Sequence, residues 1–171
     1  MRQPARSSIP ALLLLVCVFA GAEPARAATQ TAQVQANVVK PLTLAMLQSL
    51  DLGTVTLGPG TWSNATVSLS KGGVFACSNA NLTCTGATSV AQYNVQGSNN
   101  QTVKITAPNV TLVNQSDSSK TLTLVVDSPA TVVLTNSGPP GTNFSIGGAI
   151  TLNSSTAAGT YTGTFNVTVN Y

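Results

Sequence analysis

The stretch Gly159-Thr160-Tyr161-Thr162-Gly163-Thr164-Phe165-Asn166-Val167-Thr168-Val169-Asn170-Tyr171 decides the fold. Tyr161, Phe165, Val167, Val169 and Tyr171 fall on one side with Gly163 in phase, while the threonines and asparagines fall on the other. A period of two is what an extended strand presents, one face to a core and one to water. The stretch is therefore expected to form one C-terminal edge strand. With nothing after Tyr171 to pair with it, its free apolar edge would be a template for strand pairing unless something covers it.

Working outward, the same alternation recurs about every ten residues between clusters of Gly, Pro, Asn and Ser. Inward positions are expected at Leu50, Leu52, Val55, Leu57, Val67, Leu69, Val74, Ala76, Tyr93, Val95, Val103, Ile105, Val110 and Leu112. They continue at Leu122, Leu124, Val126, Val132, Leu134, Phe144, Ile146, Ile150 and Leu152, with a break expected at Gly147-Gly148. Only Ala45 to Leu50 offers the spacing of a helical turn. Ten to twelve short strands, each with one wet face, predict an all-β chain built as an antiparallel β-sandwich.

At the other end, Ala32, Val34, Ala36 and Val38 alternate with Gln33, Gln35 and Asn37. This segment, residues 28–40, is expected to be an N-terminal strand free to cover the C-terminal edge, in its own chain or in another. Ahead of it, residues 1–27 read as a secretory signal, with Arg2 and Arg6, an apolar run from Ala11 to Ala22, and a small-x-small site at Ala25-Arg26-Ala27. The run is too short and too closely flanked by Pro10 and Pro24 for a membrane span, which needs roughly 20 apolar residues. No membrane span is expected once the signal is cleaved, and residues 41–171 form the β-domain.

Two cysteines remain after the signal. Cys77 and Cys84, in an exported chain, predict one short disulfide. Closing so small a loop stabilises by about 2.5 kcal/mol in the chain-entropy model. A zinc site would need more ligands than two thiolates, and a redox pair a tighter spacing.

Composition removes whole classes of function. The chain has no histidine and 6% charged residues, so it lacks an imidazole base, a Ser-His-Asp system and His-ligated metal. Beyond residue 27 there are four lysines against three aspartates and no arginine, a formal +1 with no basic stripe for phosphates, so nucleic acid is not an expected partner. Ser68-Leu69-Ser70-Lys71 matches an S-x-x-K motif in letters only, because on a strand positions three apart point to opposite faces. Asp51, Asp117 and Asp127 read as turn and cap residues. Trp62, beside Gly60, is the one aromatic placed as a possible ligand contact. No catalytic residue, metal or cofactor is expected.

Gly159 and Tyr171 keep the twelve-residue interval, glycine to tyrosine, that ends the subunits of chaperone-usher pili, and the chain resembles them at its two ends. Its wider resemblance is to a family of small secreted bacterial proteins classed as a domain of unknown function and pilin-like in outline. The shared features are Pro41-Leu42-Thr43-Leu44, Leu50-Asp51-Leu52-Gly53-Thr54-Val55, and Ala158-Gly159-Thr160-Tyr161-Thr162-Gly163-Thr164-Phe165. The spore coat U type pilins share the same ending.

The resemblance implies an immunoglobulin-like sandwich lacking its last strand and completed by strand addition from another subunit, Ala32, Val34, Ala36 and Val38 entering the groove. It also implies a periplasmic chaperone and an outer-membrane usher as partners, and a secreted or cell-surface product such as a fimbrium. The rival expectation is a monomeric secreted module for a carbohydrate or protein ligand, with the N-terminal segment folded back beside residues 161–171. Either way the chain is expected to be non-enzymatic.

Overall fold

The computed structural model describes residues 27–77 and 79–171. The expected signal, apart from Ala27, lies outside the described residues. Residues 27–36 and residues 37–171 belong to separate units. Residues 27–42 form no strand, and residues 27–40 are exposed, with Val34 at 94% and Val38 at 89% exposure. Within this single chain residues 28–40, expected as a strand covering an edge of their own or another chain, thus form no strand. Alternation alone does not fix an extended segment, because a strand is held by the ladder of a neighbour.

The second unit is all-β, and every strand pair is antiparallel. In chain order the described strands begin with β1 (Thr43–Gln48), β2 (Thr54–Leu57), β3 (Ala65–Leu69), β4 (Phe75–Ala76) and β5 (Leu82–Thr85). They continue with β6 (Ala91–Gln96), β7 (Thr102–Thr106), β8 (Val110–Asn114), β9 (Thr121–Asp127) and β10 (Thr131–Val133). The last are β11 (Thr142–Leu152), β12 (Tyr161–Thr162) and β13 (Thr168–Asn170). One eight-stranded sheet has the order β1-β6-β11-β9-β8-β12, with β3 attached to β11 and β4 to β3. A three-stranded sheet runs β10-β7-β13, and β2 pairs with β5 alone.

The spine is β11. Its first half pairs with β6 and puts Phe144 opposite Tyr93, the two rings stacked 5.5 Å apart. Its second half pairs with β9 and β3, which flank it on opposite edges over Gly148 to Ile150. Phe144 and Ile146 enter one core cluster with Val95 of β6 and Val103 and Ile105 of β7. Ile150 and Leu152 enter a second with Val67 of β3, Leu82 of β5 and Leu124 of β9. Gly147 and Gly148 sit between the two clusters and do not break the strand. Ladders on both edges hold the backbone there, and a Cβ on Gly147 would run into the Leu69 carbonyl.

Three other local expectations are corrected. Ala45 to Leu50 is no helical turn: β1 runs to Gln48, and a register shift between Met46 and Gln48 blurs the alternation. Val74 is 69% exposed and Ala76 is exposed, while Phe75 packs on the second cluster. Phe75 stands opposite Leu69, and cross-strand partners share a face, so the buried Leu69 turns it inward.

The C-terminal stretch is not one strand but two. β12 pairs with β8 and β13 with β7, so residues 161–171 pass from one sheet to another. The phase is kept across the crossing, since Tyr161, Phe165, Val167 and Val169 are half-buried and their neighbours exposed. Phe165 packs against both clusters. Gly163 permits the crossing: a Cβ there would lie 2.9 Å from Leu112, Thr111 and Val110 atoms of β8.

The expected disulfide is present. Cys77, just after β4, joins Cys84 in β5, with their Cα atoms 6.3 Å apart. It ties the eight-stranded sheet to the β2-β5 pair.

Candidate functional site

The second unit carries a mostly apolar cleft of about 1240 Å³. One wall is the chain from Met46 to Leu57, the other residues 156–165, and Leu112, Leu122, Leu124, Ile150 and Leu152 lie between them. Sequence alternation assigned these leucines to the core. In the fold they belong to the second cluster or pack against it, and they also line the cleft.

The first wall is shaped at Asp51. Its backbone makes an isolated antiparallel bridge with Ser89, and its carboxylate accepts the Gly53 N–H at 2.8 Å. Gly53 has φ +74°, which turns the chain out of the β1-β6 direction and into β2. β2 then carries β5 on one edge, and among the described residues its other edge has no ladder partner.

The second wall is pinned by Asn114, the buried polar residue at the end of β8, 2% exposed. Its Nδ2 donates to the Ala158 carbonyl at 3.0 Å, and its Oδ1 accepts the Ser116 N–H at 2.8 Å and the Asp117 N–H at 3.3 Å. The Gln115 N–H donates to the Thr160 carbonyl at 2.8 Å, and the Tyr161 hydroxyl donates to the Ala157 carbonyl at 2.8 Å. Gly159 has φ +143° and lies directly against the Asn114 carboxamide. β12 follows at once, carrying β8 on one edge and, among the described residues, no strand on the other. Residues of β2 and of β12 therefore both line the cleft.

Its lining carries one charged residue, Asp51, and no cation. The other two aspartates serve elsewhere. Asp117 accepts from the Ser119 hydroxyl and N–H, which holds its carboxyl below the usual value. Asp127, at the end of β9, receives the Lys71 ammonium at 2.7 Å and the Lys71 N–H at 2.8 Å, and this lowers its carboxyl likewise. Its partner is 56 residues away, so it is a cross-chain tie and not only the local cap expected. Among the described residues no three His, Cys, Asp or Glu side chains gather as a metal would need.

Trp62 does not line the cleft. It is half-buried on the second cluster, its indole N–H donating to the Gly58 carbonyl at 3.2 Å. Ala32, Val34, Ala36 and Val38 all lie in the exposed, irregular segment. Of the C-terminal series, Tyr161, Gly163 and Phe165 line the cleft, while Val167 and Val169 pack on the first cluster. Tyr171 is engaged at another place. Its hydroxyl donates to the Lys40 carbonyl at 2.6 Å and accepts the Ser98 N–H at 2.8 Å. Sequence reasoning missed Asn114 and the Lys40–Tyr171 contact. A lone asparagine closing the apolar run Val110 to Val113 was a signal for the first, but nothing local marked the second.

These features define a class: an all-β antiparallel domain with one short disulfide and a mostly apolar cleft. Among the described residues no helix is long and apolar enough to cross a membrane. The chain belongs to the family described as Domain of unknown function (DUF4402), whose model matches residues 42–171. No curated protein and no solved structure matches it.

Proposed function

We propose that this protein is a non-enzymatic structural or adhesive subunit of the cell surface, an immunoglobulin-like sandwich completed by a β-strand from another copy. The carrying observation is the cleft, lined mostly by apolar groups and by residues of β2 and β12, strands that each have one edge without a strand partner among the described residues. Each edge offers a row of backbone donors and acceptors, and a strand laid between them would pair with both and cover the leucines beneath.

The incoming strand is residues 28–39 of a second copy. That segment is uncharged, as suits a lining with a single carboxylate, and its Val34 and Val38 side chains are exposed. Burying two valines at roughly 1.5 to 3 kcal/mol each, with Ala32 and Ala36 beside them, contributes on the order of 5 kcal/mol before backbone hydrogen bonds are counted. The resemblance to chaperone-usher subunits at Gly159 and Tyr171 supports export through the periplasm, with a chaperone holding the cleft and an usher passing subunits on.

The test compares residues 28–171 with a chain beginning at Pro41, by sedimentation and thermal unfolding, with the 28–40 peptide added in trans. Heat-resistant ladders from the longer chain, and a shorter chain that stays soluble and is stabilised by the peptide, are expected. A longer chain that is monomeric at every concentration, with a melting point independent of concentration, would overturn the reading.

A further inference from the structure

We propose that Met46 is the anchor on which the incoming strand of a second copy closes, and that it decides how tightly that strand is held. The inference rests on the strand-donation reading and adds the side chain that an occupant of the cleft must cover. Met46 stands opposite Tyr93 in the β1-β6 ladder, and cross-strand partners share a face. Tyr93 is buried in the first cluster, so Met46 projects from the core face of β1. It is nevertheless 62% exposed.

Along the same wall, Leu50 packs on both clusters, and Leu52, Val55 and Leu57 pack on the second. Of the apolar residues from Thr43 to Leu57 that line the cleft, Met46 alone is exposed. A large apolar side chain on a core face and open to water marks a place where cover is missing. The cleft, at about 1240 Å³, exceeds the roughly 300 to 1,000 Å³ of small-molecule pockets, and its walls are two lengths of chain, which suits an extended segment. Residues 28–39 of a second copy meet the need, being uncharged and carrying the exposed Val34 and Val38. An unbranched thioether adapts its shape to the valine laid against it.

Met1 and Met46 are the two methionines of the sequence, so the secreted chain carries one, and its oxidation to the sulfoxide reads as a gain of one oxygen by mass. The experiment treats the full secreted chain with hydrogen peroxide, dilute and assembled, with assembly followed by sedimentation. Met46 should oxidise readily in the dilute chain and at least about tenfold more slowly in assemblies, as when about nine-tenths of the clefts are filled. Met46→Ser should leave the urea midpoint of the dilute chain unchanged, because the side chain already lies in water. It should raise the concentration of half-assembly about ten- to a hundredfold, the worth of burying one such side chain. Met46→Leu, of similar volume, should assemble closer to the parent than Met46→Ser does. Val133→Ser, at an exposed valine outside the cleft, should change neither midpoint nor assembly. Assemblies whose Met46 oxidises as in the dilute chain, or a Met46→Ser chain that assembles like the parent or is destabilised while dilute, would overturn the anchor alone. Protection that persists with Val34→Ser and Val38→Ser together would mean another occupant and overturn the inference as well. A parent that never assembles overturns the strand-donation reading and the anchor with it.

Discussion

Gly159 lies against the carboxamide of Asn114, so closely that any Cβ at residue 159 would overlap it. The contact sets the wall of the cleft, because Asn114 holds Ala158 by its carbonyl and stands opposite Tyr161, the first residue of β12. Gly159→Ala meets two penalties, the overlap and a backbone at φ +143° that L-residues rarely adopt. A loss of more than about 2 kcal/mol is expected in urea unfolding. Asn114→Ala should cost about 1 to 2 kcal/mol, since it removes the partner of the Ala158 carbonyl and of the Ser116 and Asp117 N–H groups, which are only partly buried. A Gly159→Ala chain with unchanged midpoint would show that the wall yields freely.

The disulfide joins β4 to β5 and packs on the second core cluster, so its loss should loosen the β2-β5 pair first. Reduction, or Cys77→Ser with Cys84→Ser, should cost about 2.5 kcal/mol by the loop-closure argument. Thermal unfolding with and without reductant measures it. The amides of β2 and β5 should lose exchange protection before those of β6 and β11.

Lys71 and Asp127 form an ion pair whose side chains are 47% and 38% exposed, so water and salt screen most of its attraction. Asp127→Asn should therefore cost no more than about 1 kcal/mol, and less in molar salt. The Lys71 side chain and N–H hold the Asp127 carboxyl below its ordinary value of 3.8. A depressed carboxyl contributes stability that is full above the unfolded value and drains away as pH falls through the folded one. The difference between parent and variant in a melting series should be constant near neutrality and shrink only below that ordinary value. A difference that grew on acidification would contradict the assignment.

What could be read in the residues was whatever one strand decides by itself. The inward sets Tyr93 and Val95, Val103 and Ile105, and Phe144 and Ile146 are buried as alternation requires. What escaped was set by neighbours distant in sequence. Phe75 turns inward because Leu69 stands opposite it. Residues 161–171 divide between β8 and β7 although their alternation never falters. The 28–40 segment alternates as cleanly as any buried strand yet forms none, and the cleft gathers stretches as distant in sequence as Met46 to Leu57 and residues 156–165. Tyr171 meets Lys40 across 131 residues, a distance no local pattern spans.

The Gly147-Gly148 pair shows how far a breaker can be overruled and yields the sharpest substitution. Gly147 stands opposite Asp127, and Gly148 opposite both Val126 and Leu69, so the backbone is laddered on both edges and both glycines are buried. A Cβ at 147 would strike the Leu69 carbonyl and come within 2.6 Å of the Lys71 nitrogen, which is backbone that cannot swing aside. Gly148→Ala would meet Leu124 Cδ1, the far end of a side chain, at 2.8 Å, and the nearest backbone atom, the Val125 carbonyl oxygen, only at 3.2 Å. Gly147→Ala should thus cost more than about 3 kcal/mol, the range of overpacking at a rigid site, and Gly148→Ala about 1 to 2 kcal/mol. Urea midpoints of the two variants decide it. Equal losses would mean that β3 can slide away from β11, and the strand would no longer be the rigid spine on which both clusters are built.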